Sequence, residues 1–359
     1  MKYAFTNGKI LDGSRDMQVQ TGRCILVKNG KIHDIVSDTT DLSGYTKIDL
    51  KGHYILPGLI NMHVHLAGSG KPQKKQRDNE KLVNTIMSTS LTRAIAYRMV
   101  ADFAKDELLS GVTTIRTVGG LGDFDTRLRD EIKAGSKIGP RILASNQGIS
   151  VPGGHMAGSV AVAASSIPDA LSHLKKSEQQ KVDLIKLMIT GGVLDAKEKG
   201  VPGELKMPPE MVRAVCEKAH ADGYLVAAHV ESPEGVRVAL ENGVDSIEHG
   251  AKLTDEMVKL FKERGAFLCT TISPALPYAL FDRSITNATK RSAELTDIDS
   301  ITGSIEKGKA ADLIVTAQNP LKDLKALRNL EMVISGGRFI EHPKIKKRKQ
   351  VEAELDKFL

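Results

Sequence analysis

Ile55-Leu-Pro-Gly-Leu-Ile-Asn-Met-His-Val-His-Leu66 is the stretch of this 359-residue chain that decides its fold. Apolar residues, interrupted by Pro-Gly, lead into two histidines separated by one residue. In an extended strand, residues i and i+2 point to the same face. We therefore expect His63 and His65 to direct two imidazoles to one point, with Val64 and Leu66 facing the other way. Converging neutral imidazoles make half of a zinc-type site, although this stretch alone also fits two strand histidines without a ligand.

The composition is that of a soluble globular protein, with 41% hydrophobic and 26% charged residues. Aromatic residues make up 4% and tryptophan is absent, which argues against a protein that stacks nucleic-acid bases on aromatic side chains. Part of the formal net charge of +7 lies in a basic C-terminal tail, residues 344–359. A basic tail can attract nucleic acid or acidic lipid, but we interpret this one as a solvated helix end and expect no nucleic-acid partner.

Neither secretion nor membrane insertion is indicated. The three cysteines are far apart and form no Cys-x-x-Cys pair, so they do not make a disulfide framework and fit a reducing compartment. The first residues lack the apolar core of a signal peptide, and no run approaches the roughly 18 apolar residues of a membrane helix. We expect a cytoplasmic protein with no membrane partner.

Both ends of the chain are β-rich. Asn7-Gly8 and Asn29-Gly30 are hairpin signals between β-prone runs, and a strand–turn–strand pattern recurs around Gly336-Gly337. We predict one small β-domain built from residues 1–54 and 301–343.

The middle of the chain, residues 55–300, alternates apolar strand-like runs with helical stretches. This alternation predicts α/β architecture with βα units around a parallel sheet. Seven strand candidates point to a TIM-type (β/α)8 barrel whose eighth strand is missing from the sequence. The candidates are Tyr54–Leu66, Thr113–Val118, Arg141–Ser145, Leu184–Ile189, Leu225–Val230, Asp245–His249 and Ala266–Ile272.

One helix signal is clear in detail. Pro208-Pro209 opens a helix, and Gly223 follows its end. The spacing predicts one apolar face that consists of Met211, Val212, Val215 and Ala219.

Lys186 lies inside the apolar run of the fourth strand candidate. A buried lysine is rare without a partner, and an ammonium paired with a carboxylate such as Asp183 is one interpretation. Alternation places residues i and i+3 on opposite faces, however. An ammonium has no lone pair, so only a modified Lys186 could be a metal ligand.

His229 and His249 end the fifth and sixth strand candidates. The C-terminal ends of barrel strands hold the active site. Together with His63 and His65, these histidines predict a metal site. His155 lies in a glycine-rich loop after the third strand on the same face, where it contacts substrate or tethers the loop; the sequence leaves both roles open.

These motifs resemble the amidohydrolase superfamily, most closely its prolidase-like and imidazolonepropionase-like members of the Xaa-Pro or Xaa-Arg dipeptidase type. The resemblance extends over nearly the whole chain. It rests on residues Leu56–His65, Ile185–Val193, Ala228–Val230, Ser246–Gly250 and Gly303–Val315.

The resemblance implies a (β/α)8 barrel with a β-sandwich companion and two divalent metal ions, usually zinc. His63 and His65 would bind the buried metal, and His229 and His249 the other. Lys186, carboxylated by carbon dioxide, would bridge both metals, and its carbamate would supply two anionic oxygens. A hydroxide between the metals would attack a carbonyl that one of them polarises, with Lys186, His229 and His249 as catalytic residues.

The activity implied is hydrolysis of an amide bond in a dipeptide or an N-acyl amino acid, so that a small molecule or dipeptide is the expected partner. Hydrolysis of a cyclic amide, as by imidazolonepropionase, is the alternative. We also expect a homo-oligomer.

The family's aspartate at the end of strand eight, a ligand of the buried metal and the proton shuttle, has no evident counterpart. Only residues 273–286 separate the seventh strand from a helix-like segment, too few for a helix, a strand and their loops. Asp282 is the acidic residue of that segment, but its context does not match the motif. Three explanations are open: the sequence omits residues of the full protein, a true deletion leaves a catalytically impaired metal-binding homologue, or a partner chain completes the barrel.

Overall fold

The structure is a computed structural model that describes residues 1–68, 78–192, 203–271 and 287–345. The chain divides into two units. Unit 1 comprises Met1–Asn61, Ala104–Ile115 and Ser273–Leu359, and unit 2 comprises Met62–Phe103 and Arg116–Ile272. The domain limits expected from the sequence, residues 1–54 with 301–343 and residues 55–300, stay a prediction.

The described strands are, in chain order, β1 Lys2–Thr6, β2 Lys9–Ile10, β3 Arg23–Lys28, β4 Lys31–Ser37, β5 Thr46–Asp49, β6 Tyr54–Pro57, β7 Leu59–Val64, β8 Val112–Thr117, β9 Arg141–Leu143, β10 Gly148–Ser150, β11 Ala161–Ala163, β12 Ile185–Met188, β13 Val226–Val230, β14 Ser246–His249, β15 Phe267–Cys269, β16 Leu313–Thr316, β17 Leu330–Ser335 and β18 Arg338–Glu341. The described α-helices are α1 Asn79–Met87, α2 Ser90–Leu109, α3 Phe124–Lys133, α4 Ile167–Gln179, α5 Pro209–Ala221, α6 Pro233–Glu241, α7 Asp255–Arg264 and α8 Ser292–Leu295. No helix within these ranges is long and apolar enough to cross a membrane.

Unit 1 contains two sheets, with strand orders β4-β3-β1-β5 and β18-β17-β16-β6-β2. Strands from both ends of the chain meet in the second sheet, where β16 pairs antiparallel with β6 so that Val315 lies opposite Ile55. One hydrophobic core cluster includes residues of both sheets, among them Phe5 and Ile25 from the first and Ile334 from the second. Apolar burial between the sheets therefore holds the termini together.

Unit 2 is built around a six-stranded sheet of order β11-β10-β12-β13-β14-β15, in which every neighbouring pair is parallel. Every residue of β12 and β13 is buried, as expected for strands that are covered on both faces. Three of its helices begin with a hydroxyl N-cap that accepts a backbone N–H, at Ser166, Ser232 and Thr254. A further sheet has the order β7-β8-β9.

The prediction of a single strand over Tyr54–Leu66 is wrong. The structure divides this stretch at Gly58 into β6 and β7, which belong to different sheets. The Gly58 N–H donates to the Asp312 carbonyl oxygen at 2.9 Å, and a Cβ at this position would collide with the Thr113 side chain. Glycine is required because the backbone passes too close to Thr113 for any side chain.

Helix α5 confirms the predicted pattern. It starts at Pro209, buries the four apolar residues expected on one face, and ends before Gly223, which has a φ of +84°. The short strands β10 and β11, which flank the loop that carries His155, were not predicted. Residues 273–286 with Asp282, and the tail beyond residue 345, lie outside the described residues, so the absence of an eighth strand stays a prediction.

We expect Gly58→Ala to lower the free energy of unfolding by about 1–3 kcal/mol, because the added methyl group overpacks the contact with Thr113. Urea denaturation measures this change. Gly68→Ala is the matched control, since a Cβ at Gly68 meets no atom of the described part of the chain within 4 Å and the backbone there has no positive φ. Equal effects of the two substitutions would contradict the role of Gly58.

Candidate metal centre

His63 lies in β7, in which alternate residues are buried, and His65 directly follows the last residue of that strand. Val64 and Leu66 point into the core at 8% and 2% exposure, so the predicted alternation is confirmed. His65 Nδ1 lies 3.0 Å from the Gly119 carbonyl oxygen, and His63 Nδ1 lies 2.7 Å from Glu248 Oε2. Both acceptors require a protonated Nδ1, which leaves each Nε2 with its lone pair.

The two Nε2 atoms lie 3.2 Å apart. Two lone pairs at this distance repel each other, whereas a cation between them satisfies both. Two nitrogens bound to one tetrahedral zinc ion at 2.0–2.1 Å are about 3.3 Å apart. The pair thus fits a divalent metal.

His229 and His249 come from the adjacent parallel strands β13 and β14, in which His229 lies opposite Glu248 and Val230 opposite His249. This register alone would point His249 away from His229. The backbone of His249 has a φ of 70°, however, and this left-handed conformation at the strand end turns the side chain. The His249 ring then lies 4.7 Å from the rings of both His229 and His63.

Hydrogen bonds of the ring nitrogens fix the orientation of His229 and His249. His229 Nε2 lies 3.3 Å from the Gly191 carbonyl oxygen and donates to it, so Nδ1 keeps the lone pair. His249 Nδ1 lies 2.6 Å from Thr271 Oγ1. The structure therefore brings together the four histidines predicted from the sequence, which are connected by ring contacts of His63 with His65, of His63 with His249 and of His229 with His249.

Lys186 is fully buried in β12 at 1% exposure, and its Nζ has no hydrogen-bond partner among the described residues. The interpretation of a pair with Asp183 is wrong, because Asp183 accepts from Arg129 at 2.7 Å and from the Ala144 N–H at 2.8 Å. Burial lowers the pKa of Lys186 to about 8, against the attraction of Glu248. An unpartnered amine with a lowered pKa is suited to chemical modification.

A buried ion pair that the sequence analysis missed supports this centre. Arg116 Nη2 donates to Glu248 Oε1 at 2.6 Å and to Ser246 Oγ at 3.1 Å, and Arg116 Nε donates to the Met62 carbonyl oxygen at 2.8 Å. Ser246 Oγ also donates to Glu248 Oε1 at 2.5 Å. The sequence could have indicated this ion pair, because Arg116 and Glu248, like Lys186, are charged residues within predicted strands.

Burial favours the neutral form of the histidines. It lowers the pKa of His65 to about 4 and of His249 to about 3, and it also lowers the pKa of His63 and His229. For Glu248, burial disfavours the charged form, but Arg116 and the His63 hydrogen bond outweigh it and hold the pKa of the carboxyl well below its usual range. The centre therefore offers neutral imidazoles, the form that binds metal.

His155 lies beside this cluster. Its ring stacks on the ring of His229 with centroids 3.9 Å apart and an interplanar angle of 7°. Gly192 permits this stack, because a Cβ there would lie 2.8 Å from the His155 ring and 3.2 Å from the His229 ring. The structure thus places His155 at the centre, while its predicted contact with substrate stays a prediction.

Residues 54–278 match the model of the amidohydrolase family. The chain belongs to this family. Ochratoxinase of Aspergillus niger is 23% identical over 276 residues, which cover 69% of this chain and 55% of the relative. Imidazolonepropionase of Klebsiella pneumoniae is 35% identical over 112 residues, 27% of each chain. The chain thus spans about half or less of the length of these curated relatives.

Solved structures resemble the chain over nearly its full length. A Bifidobacterium longum protein assigned as a prolidase is 29% identical, with a TM-score of 0.79 over 99% of this chain and 98% of its own. A Xaa-Pro dipeptidase with methionine bound in its active site is 27% identical, with a TM-score of 0.78 over 95% of this chain and 100% of its own. These amidohydrolase neighbours imply a TIM-barrel-like α/β fold, and the described residues offer groups that could hold metal.

We expect Glu248→Gln to lower the free energy of unfolding by about 3 kcal/mol, because it leaves the Arg116 charge buried without a counter-ion. Urea denaturation of the metal-free protein measures the loss. Glu241→Gln is the control, since Glu241 pairs with Arg237 on the surface at 46% and 51% side-chain exposure and should cost less than about 0.5 kcal/mol. Similar losses in both variants would contradict the special role of Glu248.

The histidines also predict a pH dependence. In the unfolded chain His65 and His249 take up protons near their ordinary pKa of 6.5, but in the folded metal-free chain only near 4 and 3. Since the unfolded state binds more protons in this window, the free energy of unfolding should fall as the pH drops from 6.5 towards 4.

Urea denaturation of metal-free protein between these pH values tests this dependence. His65→Asn removes one of the groups, so its stability should fall less steeply over the same range. Identical slopes for the two proteins would show that His65 does not contribute.

Proposed function

We propose that the protein is a metal-dependent hydrolase that cleaves the amide bond of a dipeptide or an N-acyl amino acid, in the manner of a prolidase. The observation that carries the proposal is the convergence of the neutral imidazoles of His63, His65, His229 and His249. The same unit holds the buried amine of Lys186, which has no hydrogen-bond partner among the described residues. A donor set of this kind matches divalent metals such as zinc.

In this proposal, His63 and His65 hold one metal ion and His229 and His249 hold a second. When bound, such ions lower the pKa of a water towards neutrality and polarise the carbonyl of the substrate. Glu248 orients His63 through Nδ1, and the Gly119 carbonyl oxygen orients His65 in the same way. These acceptors fix the tautomers that present Nε2 to the metal.

As a carbamate, Lys186 would supply oxygen ligands to the metal ions. Its neutral amine adds to the carbon of carbon dioxide, forms a nitrogen–carbon bond and releases one proton to water, so that two oxygens share one negative charge. The lowered pKa of about 8 favours this step, because more of the amine is neutral near pH 7 than at the ordinary value of 10.5. Carboxylation would also explain the lack of a hydrogen-bond partner for Lys186 Nζ among the described residues, because the carbamate oxygens would bind metal instead.

The likeness to prolidase-type structures supports a dipeptide as substrate, and the stacking of His155 on His229 supports a contact of His155 with that substrate. We further propose a closed (β/α)8 barrel over residues 55–300 and a β-sandwich from residues 1–54 and 301–343. The homo-oligomer and the cytoplasmic location stay predictions.

The second candidate is hydrolysis of a cyclic amide, supported by the local likeness to imidazolonepropionase. A third possibility, a metal-binding homologue with impaired catalysis, follows from the absence of a recognisable strand-eight aspartate in the sequence. A panel of Xaa-Pro and Xaa-Arg dipeptides, N-acyl amino acids and cyclic ureides separates the three candidates.

We expect gently purified protein to contain about two zinc-like ions per chain and to hydrolyse a member of the dipeptide group. His63→Ala and Lys186→Ala should abolish turnover, because each removes a ligand. Lys175→Ala, on the exposed side of α4, is the control and should retain full activity.

Carboxylation of Lys186 has its own measurement. Protein equilibrated with 13C-labelled carbon dioxide should show one carbamate resonance that is absent in Lys186→Ala. A protein that binds no metal would contradict the proposed function, and metal without turnover on any of the substrates would favour the impaired homologue.

A further inference from the structure

Thr271 provides a hydrogen-bond partner for His249 at the candidate metal centre. It lies two residues beyond the end of β15, and its Oγ1 is 2.6 Å from His249 Nδ1. N–H···O bonds in proteins are about 2.7–3.2 Å long, so this contact is a tight one. With Nδ1 engaged, Nε2 is the nitrogen that His249 can present to a metal ion.

Both partners of this hydrogen bond have a left-handed backbone, with a φ of 70° at His249 and 44° at Thr271. Residues other than glycine rarely adopt this conformation, and for a β-branched residue such as threonine it is a clear outlier. Glycine would adopt it without strain. Strain of this kind is typical of functional sites. The side chain of Thr271, rather than the preference of its backbone, therefore explains a threonine at this position.

The chain is held in place on the His249 side of the bond. Gly250 directly follows His249 and also has a positive φ, of 81°. Its N–H donates to the Val230 carbonyl oxygen at 2.9 Å, and a Cβ at this position would lie 2.6 Å from Leu268 in β15. The turn after β14 is therefore packed directly against the strand that leads to Thr271.

The chain is held on the Thr271 side as well. The Thr271 N–H donates to Cys269 Sγ, and the side chains of Cys269 and Glu248 are hydrogen-bonded to each other. The sulfur, one Glu248 carboxylate oxygen and one His63 ring nitrogen lie within 4.8 Å of one another. Thr271 is thus anchored to the buried carboxylate that orients His63. Such support keeps the threonine hydroxyl within reach of His249.

The hydroxyl of Thr271 differs from the partners of the other three histidines of the centre. Those histidines are hydrogen-bonded to carbonyl or carboxylate oxygens, which only accept. A hydroxyl can donate or accept, so Thr271 is compatible with both tautomers of His249. A cation at Nε2 selects the tautomer in which Nδ1–H donates to Oγ1, because Nε2 then keeps its lone pair.

We propose that Thr271 is a positioning residue of the metal centre, whose hydroxyl accepts the Nδ1–H of His249 and holds the ring with Nε2 towards the metal position. This inference rests on the proposed function and leaves the proposed ligands unchanged, including the carbamate of Lys186. A partner of this kind fixes the ring and raises the basicity of the nitrogen that binds metal, and its loss typically lowers metal affinity by about 10- to 100-fold.

Metal titration tests the inference without recourse to activity. Metal-free wild type, titrated with Zn²⁺ by calorimetry and with Co²⁺ by visible spectroscopy, should show two binding events. Thr271→Val removes the hydroxyl but keeps the size and the β-branch of the side chain, so the backbone strain is nearly unchanged. One event should weaken by about 10- to 100-fold in this variant, and the Co²⁺ spectrum of that event should change.

Thr271→Ser is the rescue variant, because it keeps the hydroxyl and loses only a methyl group. It should bind both ions with nearly wild-type affinity. Thr46→Val is the matched control, since it removes the same hydroxyl at an exposed position of β5 and should bind both ions as wild type does. Combined with His249→Ala, Thr271→Val should add no further loss, because Thr271 acts on the ion only through His249.

Unchanged binding of both ions by a folded Thr271→Val, with wild type binding two, would overturn the role of Thr271 and leave the proposed function standing. An equal loss in Thr271→Ser, or a further loss in the combined variant, would overturn that role as well. Absence of metal binding by wild type would overturn both proposals. Circular dichroism establishes that each variant is folded, and Thr271→Ala, which also lacks the hydroxyl, replaces Thr271→Val if that variant does not fold.

Discussion

The negative charge of Glu248, which is completely buried, is the constraint on which the centre depends. An isolated carboxylate in such a place would take up a proton, so its ionised form requires partners on every side. Arg116 and Ser246 provide them on one oxygen and His63 on the other. This network sets the orientation of His63 from β14, a strand of another sheet, and His63 in turn faces His65 and His249. Removing any member would leave a charge or a polar group buried without compensation.

Neutral imidazoles follow from the same burial. A histidine that is kept from water resists protonation, and its free nitrogen is available to a cation over a wider pH range than on the surface. Taken by themselves, these side chains are not electrostatically balanced, because lone pairs converge and the Lys186 amine has no partner among the described residues. Such a site is stabilised by what binds to it, in line with the general linkage between ligand binding and stability.

The sequence revealed the parts of this centre that depend on simple periodicity or on composition. Alternation along β7 predicted that His63 and His65 share a face, and a lysine in an apolar strand marked Lys186. The His249 side chain reaches the cluster only through a left-handed backbone, which no pattern of residue types announces. Gly58 shows the same limit: Pro-Gly within an apolar run signals a break, but the assignment of its two halves to different sheets depends on pairing with β16. Arg116 and Glu248 were missed because their partner lies more than a hundred residues away in the chain.

The alternation in β7 also determines how this site can change during evolution. Because side chains of a strand repeat every two residues, a slip of one residue would exchange the histidine pair for Val64 and Leu66 and bury imidazoles in the core. A slip of two would keep the face but move the pair by about 6.6 Å along the strand, beyond the reach of Glu248 and the Gly119 carbonyl oxygen. Single-residue insertions and deletions before His63 should therefore abolish the centre outright, whereas point substitutions can adjust it by degrees. Any homologue that keeps this centre should therefore keep the same number of residues in this segment.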